Sequence, residues 1–171
     1  MALQLIFVVE TDKRCKSDWI YIKSTLNHFY QYDHTQVKLT SIYLSGKDKY
    51  KSKENEINSK IKQFRGNSKV LMCVDCDDYD TNPNDRQFLD KVRDYCNDKG
   101  FIFVWFCKDI EQVYLGYKID SNLKKKKAAT FEAKQSINSI EPNKLSVNEF
   151  RDKTSNLLCV LDRFKELIRI V

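Results

Sequence analysis

The chain has 171 residues, 42% hydrophobic and 12% aromatic, with four Gly and two Pro, which suits one packed domain and excludes a disordered chain. A net charge of +6 permits contact with nucleic acid without demanding it. Six cysteines are too sparse for a disulfide scaffold, no apolar run is long enough to span a bilayer, and the N-terminus lacks the basic region of a secretory leader; these features point to a cytoplasmic protein with free thiols and no membrane partner.

In chain order, Leu3–Val9 (LQLIFVV) is an uninterrupted apolar run and predicts a buried strand that ends at Glu10. Ser17 opens a helix on which Trp19, Ile22, Leu26 and Phe29/Tyr30 recur at helical spacing. Val37–Leu44 alternates as a second strand, and Lys47–Arg65 is weakly helical, with Ile57, Ile61 and Phe64 as its apolar stripe. Lys69–Val74 is a third strand running into Asp75-Cys76-Asp77-Asp78-Tyr79-Asp80. Pro83 and Asn84 open a helix that Gly100 stops, and Phe101–Phe106 (FIFVWF) reads as a central strand. Asp109 starts a short helix through Glu111 to Leu115. A polar, lysine-rich connector follows over 118–144, and then a final helix over 146–169, with Val147, Phe150, Leu157, Leu158, Leu161, Phe164 and Ile168 on one face. Apolar strands alternating with helices predict one three-layer α/β domain over 1–171, with a mainly parallel four-stranded sheet, a core over about 3–117 and a C-terminal helix.

Ligands in such folds sit beyond the carboxyl ends of the strands. Glu10, Asp75 and Asp77 stand at those ends. If the third strand stays extended, Asp75 and Asp77 point to one face about 7 Å apart, an arrangement that suits a hard divalent cation. Asp78 and Asp80 read as solvated turn residues.

Cys73 and Cys76, three apart on a strand, face opposite sides and cannot share a metal. His28 and His34 belong to no metal motif, and Ser45-Gly46-Lys47 is a turn rather than a phosphate loop. Lys124–Lys127 is either a solvated run or a contact to a nucleic-acid backbone, with Tyr114 and Tyr117 placed to stack on bases.

A first strand ending in Glu10, a later one ending in Val74-Asp75-Cys76-Asp77-Asp78, and the turn Cys107-Lys108-Asp109-Ile110-Glu111 before an aromatic-aliphatic helix resemble the TOPRIM domain. Within that family the chain is most similar to the RloB-like group of small bacterial proteins found at restriction and phage-defence loci. Thr11 stands where the family carries Gly, and Asp12 or Asp18 supplies its second acid. The resemblance implies Mg²⁺ (or Mn²⁺) as cofactor, with Glu10, Asp75 and Asp77 as ligands and Glu10 also as general acid/base. Glu111 would be a fourth carboxylate in a catalytic set that processes nucleic-acid phosphodiesters. It also implies work beside a partner ATPase or another defence protein. Two alternatives are a non-catalytic TOPRIM-like module that binds nucleic acid or protein, and a receiver-type phosphoryl-transfer regulator.

Overall fold

The computed structural model describes all residues, 1–171, and the chain is a layered α/β protein. Its elements in order are β1 (Leu3–Val9), α1 (Ser17–Phe29), β2 (Tyr30–Gln31), β3 (Val37–Tyr43), α2 (Glu54–Lys62) and β4 (Asn67–Asp75). There follow α3 (Pro83–Lys99), β5 (Ile102–Cys107), α4 (Ile110–Leu115), α5 (Lys124–Ala133), β6 (Thr154–Ser155), α6 (Leu157–Leu161) and β7 (Ile168–Arg169).

The main sheet has the order β3-β1-β4-β5-β6. Its first four strands are parallel, and β6 closes the edge antiparallel to β5 over two residues. The sequence anticipates four strands; the fifth is β6. Alternation along each strand sorts side chains onto two faces. Leu3, Leu5, Phe7 and Val9 of β1 pack with Leu71 and Cys73 of β4 and Val104 and Phe106 of β5 under α1, α4, α5 and α6. Ile6, Val8, Met72, Val74 and Trp105 pack on the other face under α2 and α3. Fully burying side chains such as Phe7, Phe29 and Leu71 contributes about 1.5–3 kcal/mol each. Cys73 and Cys76 lie in the two different cores, as their spacing requires. Gln4, buried within β1, bridges Thr40 of β3 and Ser68 of β4, so its amide is satisfied on both sides.

Two expectations fail in the C-terminal third. No helix runs over 146–169; only Leu157–Leu161 is α-helical. The apolar residues of that stretch are buried, but in different cores. Val147 and Phe150 pack over Trp105 on the α3 side, whereas Leu157, Leu158, Leu161 and Phe164 pack on the α1 side. One helix face cannot serve both, so the chain crosses the sheet edge at β6. Ile168 lies outside either core, 62% exposed, and pairs in β7 with β2. The connector over 118–144 also contains structure, namely α5. Lys124, Ala128 and Phe131 form its inward stripe at i, i+4 and i+7, and a lysine in the first of these positions hides the periodicity.

No helix is long and apolar enough to cross a membrane.

Candidate metal and phosphodiester site

The connection from β1 to β3 runs through α1 on one face, and that from β4 to β5 runs through α3 on the other. The crevice where connections part in this way lies beyond the carboxyl ends of β1 and β4. Glu10 follows β1 and Asp75 closes β4, so the two acids stand at that switch point. A hydrogen bond joins them: Asp75 N donates to Glu10 Oε1 at 2.8 Å. Ile110 N, at the start of α4, donates to Asp75 Oδ1 at 2.9 Å. Each half-buried carboxylate therefore has one oxygen fixed by a backbone N–H, while Glu10 Oε2 and Asp75 Oδ2 carry no protein hydrogen bond.

Beneath them lie two further acids. Asp18, in the first turn of α1, is 5% exposed and accepts from Thr11 N at 3.2 Å. Glu111, in the first turn of α4, is 1% exposed; its Oε1 lies 3.5 Å from the Ser17 hydroxyl and its Oε2 3.0 Å from Lys124 Nζ. The two acids that the sequence offers as alternatives, Asp12 and Asp18, are placed differently. Asp12 is exposed and folds back on Arg14 N and Cys15 N, while Asp18 turns inward. Thr11 does not adopt positive φ, so the backbone there imposes no glycine.

Burial, with the like charges of Asp18 and Asp77 adding to it, raises Glu10 to about 8 against the opposing effect of the Asp75 N–H. Asp75 is raised well above the carboxylate range by burial and by the charges of Glu10, Asp18 and Glu111. Burial also raises Asp18 and Glu111. Lys124 is pushed down by burial but more strongly up by Glu111 and Asp75, so it remains an ammonium. It is the resident counter-charge of the buried acids.

Asp77 departs from its expected placement. β4 stops at Asp75, and Asp77 takes a left-handed φ of 50°. Its carboxylate therefore turns toward α3, where it pairs with Lys47, which also reaches Asp85 at 3.2 Å. The two aspartates do not share a face. No three His, Cys, Asp or Glu side chains are placed to hold one ion together. The donors that remain are two half-buried carboxylates, each with a free hard oxygen, and these fit Mg²⁺, which often takes only one or two carboxylates and completes its shell with water and substrate phosphate.

The lysine run is divided. Lys124 faces the acids, Lys127 rests on Tyr117 with its Nζ 5.6 Å from the ring centroid, and Lys125 and Lys126 are exposed. Tyr114 is buried against Tyr21 and cannot stack on bases, whereas Tyr117 is 51% exposed. Lys47 is the residue that sequence reasoning passes over, and Asp18 enters it only as an alternative to Asp12. A lysine in a Ser-Gly-Lys turn reads as loop decoration until the fold sets it against Asp77.

A cleft of about 470 Å³ opens beside Gln36 and Val37 at the amino end of β3, the wrong end of a parallel sheet for a ligand. Comparison with protein families, curated proteins and solved structures finds no match, so the reading rests on the chain's own residues.

Proposed function

We propose that the chain is a TOPRIM-like, RloB-related protein that processes nucleic-acid phosphodiesters with Mg²⁺ or Mn²⁺ at Glu10 and Asp75. The observation that supports this most is the meeting of these two acids at the topological switch point, each with one oxygen anchored and one free. When bound there, the ion would supply electrostatic stabilisation of charge developing on the phosphate.

The chain's own residues divide the remaining work. With no ion bound, burial raises Glu10 to about 8, so it holds a proton near neutral pH; it acts either as a ligand, giving that proton up to the ion, or as general acid/base beside an ion on Asp75. Ile110 N and Asp75 N fix the carboxylates in orientation, so little rearrangement is needed on binding. Asp18, Glu111 and Lys124 form the layer beneath, where Lys124 offsets part of the negative charge. Asp77 joins as a ligand only by exchanging Lys47 for the ion. A role in phage defence beside an ATPase follows from the resemblance alone.

The test is cleavage of labelled DNA and RNA, single- and double-stranded, with Mg²⁺ or Mn²⁺, by wild type and Asp75→Asn. Asparagine keeps the oxygen that accepts from Ile110 N, so the variant should fold while losing cleavage by at least about a hundredfold. Equal cleavage by both proteins would remove Asp75 from the chemistry. The pairing of Asp77 with Lys47 favours a second reading, a non-catalytic module that binds nucleic acid or protein. That reading takes over if no nucleic acid is cut and the wild type still binds one.

A further inference from the structure

A second cleft, of about 460 Å³, opens at the carboxyl ends of β1 and β3 and is lined by Asp12, Lys13, Arg14, Tyr43, Ser45 and Lys53. It shares its frame with the acid site. Leu44 N donates to Val9 O at 2.9 Å and Gly46 N to Glu10 O at 3.0 Å, so the segments carrying Tyr43 and Ser45 are tied to the backbone of Glu10 itself. The charge on its walls is one-sided. The one acid, Asp12, accepts from Arg14 N and Cys15 N at 2.7 Å each and so braces the loop. Lys13 and Arg14 are exposed and enter none of the chain's ion pairs, and Lys53 meets only Glu56 on its own helix turn. Ser45, exposed, and Tyr43, whose hydroxyl accepts from Ser41 Oγ at 3.1 Å, border the same space. Three cations against the single acid Asp12, on loops tied to the ends of the strands, make a receptor for a phosphate anion.

We propose that this cleft seats a backbone phosphate of a nucleic-acid strand on Lys13 and Arg14, next to the phosphodiester held at Glu10 and Asp75. It rests on the reading of the acid site given above, and it moves the principal strand contact away from Lys124–Lys127. A strand lying along the rim runs from the cleft over the end of β1 toward β4. Lys124, engaged with Glu111, is not needed to hold it.

The experiment measures anisotropy of a fluorescein-labelled oligonucleotide with the full chain in EDTA, as a function of salt, so binding is read without metal or turnover. Lys13→Ala/Arg14→Ala should weaken binding about tenfold, and should lower the slope of log K against log salt by about 1.4 for a single strand. Arg163→Ala/Lys165→Ala, an equal loss of exposed charge elsewhere on the surface, should leave both within error. Melting temperatures of both variants confirm that they fold. An unchanged slope in the first variant, or an equal fall in the second, overturns the proposal. So does displacement of the strand by a mononucleotide at micromolar concentration, which would make the cleft a nucleotide pocket. Strand binding with the expected slope but no metal-dependent cleavage would leave the cleft standing and remove the catalytic reading. Metal-dependent cleavage with an unchanged slope would do the reverse.

Discussion

Single residues at the strand ends hold carboxyl groups where water cannot fully solvate them. Glu10 titrates at about 8 when folded and near its ordinary 4.5 when unfolded, so the folded chain keeps a proton that the unfolded chain releases between those values. Its contribution to stability is fully present below about 4.5 and is lost as pH rises toward 8. Asp18, Asp75 and Glu111 are raised too and act in the same direction. Lys124 and Lys47, both raised, stay charged through this window and do not oppose the trend. The metal-free melting temperature should therefore fall from pH 5 to pH 8. Glu10→Gln, which keeps the acceptor for Asp75 N, should flatten the fall. A melting temperature that rises over this range, or an identical profile in the variant, would show that the acids are not held as described.

Glu10 and Asp75 are legible in the sequence because a strand end is easy to find and a parallel sheet puts its ligands there. Asp77 is misread for a local reason: a left-handed residue after the strand changes the face its side chain meets. Asp18 could be offered only as an alternative, since choosing between it and Asp12 requires knowing which of them the first helix turns inward.

Elements show the same division. The strands of the core and helices α1 to α4 follow from uninterrupted apolar runs, helical spacing and stop residues such as Gly100, which takes the left-handed φ of 67° at the end of α3. The segment after Leu145 cannot be read this way, because its apolar residues match helical spacing while the chain serves two cores. A half-buried side chain between Ser155 and Leu157 holds that path. Asn156 accepts from Trp105 N and donates to Phe103 O, both at 3.0 Å, so it continues the ladder on the open edge of β5 where β6 stops. Asn156→Ala leaves both backbone groups to solvent or unpaired, and should cost about 1–3 kcal/mol in chemical denaturation. Amide exchange should quicken at Trp105. Loss of less than about 0.5 kcal/mol, with exchange at Trp105 unchanged, would mean that the edge is held by other contacts.

For the whole molecule, the sheet order brings two distant segments of sequence, at residues 10 and 75, into one hydrogen-bonded unit, and sets a cleft with three cations and one acid beside it. Neither the cleft nor the Lys124–Glu111 pair is visible in the linear sequence, because each is assembled from loops and helices that only the fold brings together. The central claim is that Glu10 and Asp75 bind a divalent cation. It is tested most directly by titrating Mg²⁺ and Mn²⁺ into wild type and Asp75→Asn/Asp77→Asn while following thermal unfolding. An ion that binds only the folded chain stabilises it by about 2.7 kcal/mol at a hundred times its Kd. The melting temperature should rise saturably in the wild type and not at all in the double variant. No rise in either protein at millimolar metal, or an equal rise in both, would contradict that claim.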